Sequence, residues 1–114
     1  MLTMNAVRLK DLKSTPISRG EVFRFPAKYP YESIVDFMVV ETTDSERRLG
    51  LMVATGYSAG HTVVLLPPEC LLDGTVMISS DWLYANWNKW VYLHCSADEV
   101  IYVGNYPEPS PALS

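Results

Sequence analysis

The residues best suited to covalent chemistry lie in the segment Gly56-Tyr57-Ser58-Ala59-Gly60, which matches the G-x-S-x-G pattern of serine hydrolases. In those enzymes the serine follows a strand and precedes a helix, so that backbone N–H groups stabilise the developing oxyanion. Here residues 61–66 are rich in β-branched and apolar types and end at two prolines, which predicts a strand after the serine. The segment is therefore interpreted as a loop, and a small serine hydrolase using Ser58 is the third-ranked alternative.

A metal site is the second chemistry to consider, because His94 and Cys95 are adjacent. Neighbouring residues of a strand point to opposite faces, so this pair is poorly placed to bind one ion. The chain contains no Cys-x-x-Cys or His-x-x-x-His spacing. We expect no metal and no cofactor, and we interpret Cys70 and Cys95 as two buried thiols rather than a disulfide.

An aromatic cluster that includes Trp82, Trp87 and Trp90 could stack nucleobases, but it lacks the cations that such binding requires. Lys89 is the only basic residue after Arg48. The net charge is −4, with six basic and two acidic residues up to Lys28 and three basic and eleven acidic residues beyond it. This balance argues against a nucleic-acid partner and permits a basic protein partner; a merely solvating acidic surface is the alternative.

The elements that would position these residues follow from the periodicity of the sequence. Apolar alternation and β-branched runs predict strands at residues 20–25, 34–41, 49–55, 61–66 and 75–79, and a closing pair at 91–93 and 99–103. Ser79 or Ser80 can cap a helix in which Leu83, Trp87 and Trp90 share one face, and residues 8–13 have a weak helical tendency. The predicted fold is α+β but mostly β: a curled antiparallel sheet or small barrel-like meander with one short helix in the C-terminal half.

Length and composition predict one globular domain over residues 1–105, followed by a proline-rich tail at 106–114. No apolar run approaches the roughly 20 residues that a membrane helix requires. Charged residues between positions 8 and 13 interrupt the stretch where a signal peptide would need an apolar segment. We therefore expect a cytoplasmic protein with no membrane partner.

Several segments together resemble immunity protein family forty-five, whose members are encoded beside toxins in bacterial polymorphic-toxin systems. The shared pattern runs from Arg19-Gly20-Glu21-Val22-Phe23-Arg24-Phe25-Pro26 through Val35-Asp36-Phe37-Met38 to Asp81-Trp82-Leu83, and its most distinctive part is Asn86-Trp87-Asn88-Lys89-Trp90. The resemblance covers residues 19–103. It implies an α+β inhibitor, without a catalytic site, that binds a cognate toxin in the cytosol of the producing cell.

The leading hypothesis is therefore an immunity protein that binds and neutralises a toxin domain by occluding its active site. An acidic inhibitor can enter a basic cleft as a phosphate mimic, which predicts a contact surface of acids and aromatics. The residues expected to form it are Glu41, Asp44, Glu46, Asp73, Tyr84, Trp90, Asp98 and Glu99. The alternative is a non-catalytic β-barrel adaptor or phage-type structural module, in which the aromatic patch is core or a homodimer contact.

Overall fold

Apolar residues at alternate positions build an antiparallel sheet, and one helical segment covers its inner face. The computed structural model describes residues 7–106. Its strands are β1 (Val7–Arg8), β2 (Pro16–Ile17), β3 (Glu21–Pro26), β4 (Ile34–Glu41), β5 (Leu49–Val53), β6 (Thr62–Leu65), β7 (Ile78–Ser79) and β8 (Ile101–Asn105). Helix α1 (Ser80–Asn86) continues as a π-helical turn (Trp87–Val91), and 3-10 turns occupy Leu9–Asp11, Pro68–Cys70 and Ala97–Glu99.

Six strands form the main sheet in the order β1-β8-β3-β4-β5-β6, and β2 pairs with β7 in a separate two-stranded ribbon. All pairings are antiparallel, and the meander from β3 to β6 follows chain order. Within residues 7–106 the sheet ends at β1 and β6 and does not close. The mostly β, α+β fold is confirmed as an open sheet, not as a barrel.

The core lies between the inner face of the sheet and the helical segment. Phe23, Phe25 and Phe37 project from β3 and β4 and are no more than 1% exposed. The Trp87 ring, with no exposed surface, meets Phe25 edge to face at 5.1 Å between centroids. Aromatic edge-to-face packing adds to the burial of large apolar area, so this cluster fixes the helical segment on the sheet.

The start of helix α1 agrees with its sequence signals. The Ser79 side chain accepts a hydrogen bond from the Trp82 backbone N–H at 3.1 Å, and Asp81 lies in the first turn, where the helix dipole favours a negative charge. Leu83 and Trp87, four residues apart, are both fully buried. The prediction of a short capped helix with these two side chains facing inward is confirmed.

The predicted closing strand at residues 91–93 is wrong. The helical path continues through Val91, and the Tyr92 N–H donates to the Trp87 carbonyl at 3.0 Å, an i→i+5 bond. Asn88 then donates through its side chain to the backbone carbonyls of Tyr92 and Cys95, which favours an irregular loop. Strand β8 pairs instead with β1 and β3.

Three local predictions also need correction. The wide π turn leaves Trp90 half-buried, outside the fully buried face shared by Leu83 and Trp87. Within residues 8–13 the predicted helix is reduced to the 3-10 turn Leu9–Asp11, because Arg8 belongs to strand β1. The strand predicted at 75–79 is reduced to Ile78–Ser79, because the Thr75 hydroxyl accepts from the Met77 N–H and donates to the Leu72 carbonyl, which favours a turn.

Candidate partner-binding surface

The loop that joins β4 to β5 is ordered by one of the predicted contact residues. Asp44 Oδ1 accepts hydrogen bonds from the backbone N–H groups of Glu46 and Arg47, both at 2.8 Å. These two bonds hold the pKa of Asp44 below its ordinary value. The Thr42 N–H donates to the Arg48 carbonyl at 2.9 Å and closes the loop. Asp44 therefore organises the loop as well as carrying a charge at its surface.

The other two acids of this region have different surroundings. Glu41, at the end of β4, forms an exposed ion pair with Arg19 at 3.3 Å. Glu46 is exposed, and no ion pair or side-chain hydrogen bond within residues 7–106 engages its carboxylate. Glu46 is thus the predicted loop acid whose charge is most accessible to a partner.

The β4–β5 loop meets the aromatic patch through Arg47. The Arg47 Cζ lies 6.0 Å from the centroid of the Trp90 ring, and Trp90 packs against Trp82 with ring centroids 6.2 Å apart. An arginine at this distance from an indole face is attracted by the ring quadrupole. Asp44, Glu46, Arg47, Trp82 and Trp90 therefore form one continuous region, which we call the loop–tryptophan surface.

A second group of predicted residues lies on the opposite flank of helix α1. The Tyr84 hydroxyl donates to Asp98 Oδ1 at 2.5 Å, and this bond raises the pKa of Tyr84. Glu99 Oε2 accepts from the Ser96 N–H at 3.3 Å as part of a capping box. Trp82 and Tyr84 are two residues apart, about 200° around the helix axis, so this group is separated from the loop–tryptophan surface.

Asp73 lies apart from both groups in the Leu72–Thr75 turn. The turn is closed by the Thr75 N–H, which donates to the Leu72 carbonyl at 3.0 Å. Asp73 is exposed and forms no ion pair among the described residues. The structure thus places three of the eight predicted residues in the loop–tryptophan surface and three on the other flank of helix α1, while Asp73 is isolated and Glu41 pairs with Arg19 at the end of β4.

A family model, Immunity protein 45, matches residues 9–102 of this chain. The chain belongs to the immunity protein 45 family. The matched region contains the whole helical segment and all eight residues predicted from the sequence to contact a partner. No curated protein and no solved structure matches the chain. Among residues 7–106 no helix combines the length and apolar character needed to span a bilayer.

In this family member the segment around Ser58 is a connection between two strands. Gly56 has φ +79°, the Ala59 N–H donates to the Gly56 carbonyl at 3.1 Å, and strand β6 follows. A hydrolase serine of this pattern would precede a helix. The predicted loop is confirmed, and the backbone arrangement that would activate Ser58 is not formed here.

The cysteine and histidine residues also have well-defined places. Cys70 and Cys95 are buried free thiols; burial raises the pKa of Cys70 to about 11 and also raises that of Cys95. His94 is exposed, with its ring 5.6 Å from that of Tyr92. Over the described residues 7–106, no group of three or more metal-binding side chains comes together. The prediction of two buried thiols is confirmed.

Sequence reasoning missed the exposed residues at the other end of the sheet. Tyr29 and Tyr57 are each 95% exposed, and the Glu32 carboxylate accepts from the Tyr57 N–H at 3.1 Å. The only available signal was the position of both tyrosines beside turn-forming Pro30 and Gly56. Such a signal marks a loop but does not reveal that two loops meet.

Proposed function

We propose that this immunity-family protein binds and neutralises a cognate bacterial toxin domain in the cytoplasm of the producing cell, by covering the active site of the toxin. Membership of the immunity protein 45 family supports a toxin as the partner. The proposal assigns the contact to the loop–tryptophan surface. The predicted contacts of the residues outside this surface stay predictions: Glu41, Asp73, Tyr84, Asp98 and Glu99.

The observation that carries this assignment is the contact of Arg47 with Trp90. This contact brings the β4–β5 loop, which carries the exposed Glu46, against two partly exposed indole rings. Tryptophan and arginine are enriched among the residues that dominate binding energy at protein interfaces. Exposed carboxylates next to such anchors steer a basic partner toward them before contact.

The charge of the chain suggests the chemistry of the partner. Beyond Lys28 the sequence carries eleven acidic and three basic residues. Enzymes that act on nucleic acids bind phosphates with basic clefts, and an acidic inhibitor can occupy such a cleft in place of the phosphates. We therefore propose that the toxin has a basic active-site cleft and that this cleft contacts the part of the protein that carries Glu46.

Two alternative functions compete with this proposal. A structural adaptor would use the aromatic patch as a homodimer contact, which predicts a dimer in solution in the absence of any toxin. A serine hydrolase would require Ser58 to react, although strand β6 stands where the supporting helix should begin.

The experiment is co-expression of the protein with the toxin domain encoded beside its gene, with cell growth as the readout. Glu46→Lys is expected to reduce rescue and to slow association with the purified toxin, most strongly at low salt, because exposed charges act over about 8–10 Å near physiological ionic strength. Asp11→Lys is the matched control: it makes the same change in net charge at an exposed residue of the Leu9–Asp11 turn.

The two variants distinguish an effect of the loop–tryptophan surface on binding from an effect of the net charge of the protein. Reduced rescue by Glu46→Lys with full rescue by Asp11→Lys supports the loop–tryptophan surface. Full rescue by both variants, with unchanged association rates at low salt, would contradict it. Asp44→Lys is not used, because it would also break the two backbone hydrogen bonds that order the loop.

A further inference from the structure

The three most exposed large hydrophobic side chains in residues 7–106 all lie on loops. Tyr29 and Tyr57 are each 95% exposed, and Leu93 is 71% exposed. Tyr29 belongs to the β3–β4 loop, Tyr57 to the β5–β6 loop and Leu93 to the segment that follows the π turn. Exposed apolar side chains are ordinary when scattered, but a group of them marks an interaction site.

Hydrogen bonds bring these three loops together at one end of the sheet. The Tyr57 N–H donates to Glu32 Oε2 at 3.1 Å and so ties the β5–β6 loop to the β3–β4 loop. The Lys28 N–H donates to the Tyr92 hydroxyl at 2.8 Å, which ties the segment carrying Leu93 to the same loop. We call Tyr29, Tyr57 and Leu93 the tyrosine end.

Hydrogen bonds and ring packing hold the loops that present the two tyrosines. Gly56 has φ +79°, which favours glycine, and a Cβ atom there would lie 1.9 Å from Glu32 Oε1 and displace the carboxylate that joins the two loops. The Tyr31 N–H donates to the Lys28 carbonyl at 2.9 Å and closes the turn that carries Tyr29. The Tyr31 ring then packs on Phe37 at 5.7 Å between centroids. Both exposed rings therefore extend from a hydrogen-bonded backbone, and such preorganisation lowers the entropy lost on binding.

We infer that the tyrosine end anchors the contact with the toxin domain. The toxin receives the Tyr29 and Tyr57 rings in apolar pockets that carry hydrogen-bond acceptors for the two hydroxyls. This inference rests on the proposed function and extends its contact surface. The toxin face opposite Lys28 carries a carboxylate. Glu32 supplies the only carboxylate of the loops at 27–33, 54–61 and 92–95 and accepts from the Tyr57 N–H, while the exposed Lys28 forms no ion pair among the described residues.

Membership of the immunity protein 45 family favours a toxin over a second copy of the chain as the partner at this end. The tyrosine end lies at the end of the sheet opposite to the β4–β5 loop, and residues 90–93 connect it along the chain to the loop–tryptophan surface. Trp90 precedes Leu93 by three residues, at most about 11 Å of chain, within the span of an ordinary interface of about 800 Å² per partner.

The test measures binding of the purified toxin domain, encoded beside the gene, to wild type and to the double variant Tyr29→Ser/Tyr57→Ser. The variant is expected to raise the Kd at least about 30-fold, mainly through faster dissociation, as loss of interface anchors does. Its thermal midpoint should equal that of wild type, because both side chains are 95% exposed. The matched control, Tyr29→Phe/Tyr57→Phe, keeps both rings and should weaken binding less.

Each outcome bears on a different claim. Wild-type affinity in the serine variant would overturn the inference while leaving the proposed function intact. No binding by the wild type would overturn the proposed function itself. A wild-type dimer that the serine variant converts to monomer, measured by sedimentation, would assign the tyrosine end to a second copy and also overturn the inference.

Discussion

Arg24 and Asp36 form a two-point ion pair across strands β3 and β4. Arg24 Nε donates to Asp36 Oδ1 at 2.7 Å, and Nη2 donates to Oδ2 at 2.9 Å. The Asp36 side chain is only 3% exposed, and its Oδ2 also accepts from the Tyr106 hydroxyl at 2.7 Å. Burial, together with this bond, raises the pKa of Tyr106 to about 12. The pair thus fastens the end of the described chain to the outer face of the sheet.

Replacement of Arg24 should destabilise the fold. Arg24→Leu leaves the buried Asp36 carboxylate without its cation, and because the Arg24 side chain is itself 47% exposed, we expect a loss of about 1–3 kcal/mol. Urea unfolding measures this change. The control is Arg19→Ala, which breaks the exposed pair with Glu41 and should cost less than about 1 kcal/mol. Equal losses in the two variants would contradict the structural role of Asp36.

Trp87→Ala should unfold the domain or nearly unfold it. Trp87 is fully buried and contacts Phe23 and Phe25 through their ring edges. Truncation of such a tryptophan costs about 3–5 kcal/mol, a large part of a typical stability of about 5–15 kcal/mol. Trp90→Ala, at a half-buried position, is the comparison and should retain the fold. Circular dichroism melting decides, and a wild-type midpoint for Trp87→Ala would disprove the packing described here.

The two thiols should be protected in the folded protein. Burial raises the pKa of Cys70 from 9.0 to about 11, so little thiolate forms near pH 8. Alkylation of Cys70 and Cys95 should be slow in the native state and fast after denaturation without reductant. The stability gained by keeping Cys70 protonated is complete below about pH 9 and is lost as the pH rises through about 11. Fast native alkylation of both thiols would contradict their burial.

Ser58→Ala should leave both the fold and the protection against toxin unchanged. Ser58 lies in the loop before β6, without a following helix to activate its hydroxyl. The wild-type protein should not react with fluorophosphonate probes. Stoichiometric labelling of Ser58 would instead support the hydrolase alternative.

The elements that the sequence predicted correctly are those with a strong local pattern. The meander from β3 to β6 follows from alternating and β-branched runs, and the start of α1 follows from Ser79 and Asp81. The strands β1 and β2 were not predicted, because two residues are too few to show the alternating pattern of a strand. The π turn was missed because Trp87, Trp90 and Val91 fit helix and strand about equally well by residue type.

The contact surface was less predictable than the fold, since exposed acids follow no period. Placing hairpin ends together brought Asp44 and Glu46 into one loop correctly, but it did not predict that Asp44 would bind the backbone of that loop. Nor did it reveal that Tyr84 would bind Asp98, or that Glu32 would join two loops and fix Tyr57. These contacts depend on cross-strand register and on loop positions, which only the folded chain sets. Predictions for the proline-rich tail beyond Tyr106 lie outside the described residues.

The central claim is tested most directly by titrating the purified toxin domain, encoded beside the gene, with the purified protein while the activity of the toxin is measured. Neutralisation by occlusion predicts that inhibition is complete at one protein molecule per toxin molecule and that a substrate of the toxin competes with the protein for binding. Undiminished toxin activity at a large excess of folded protein would contradict the account.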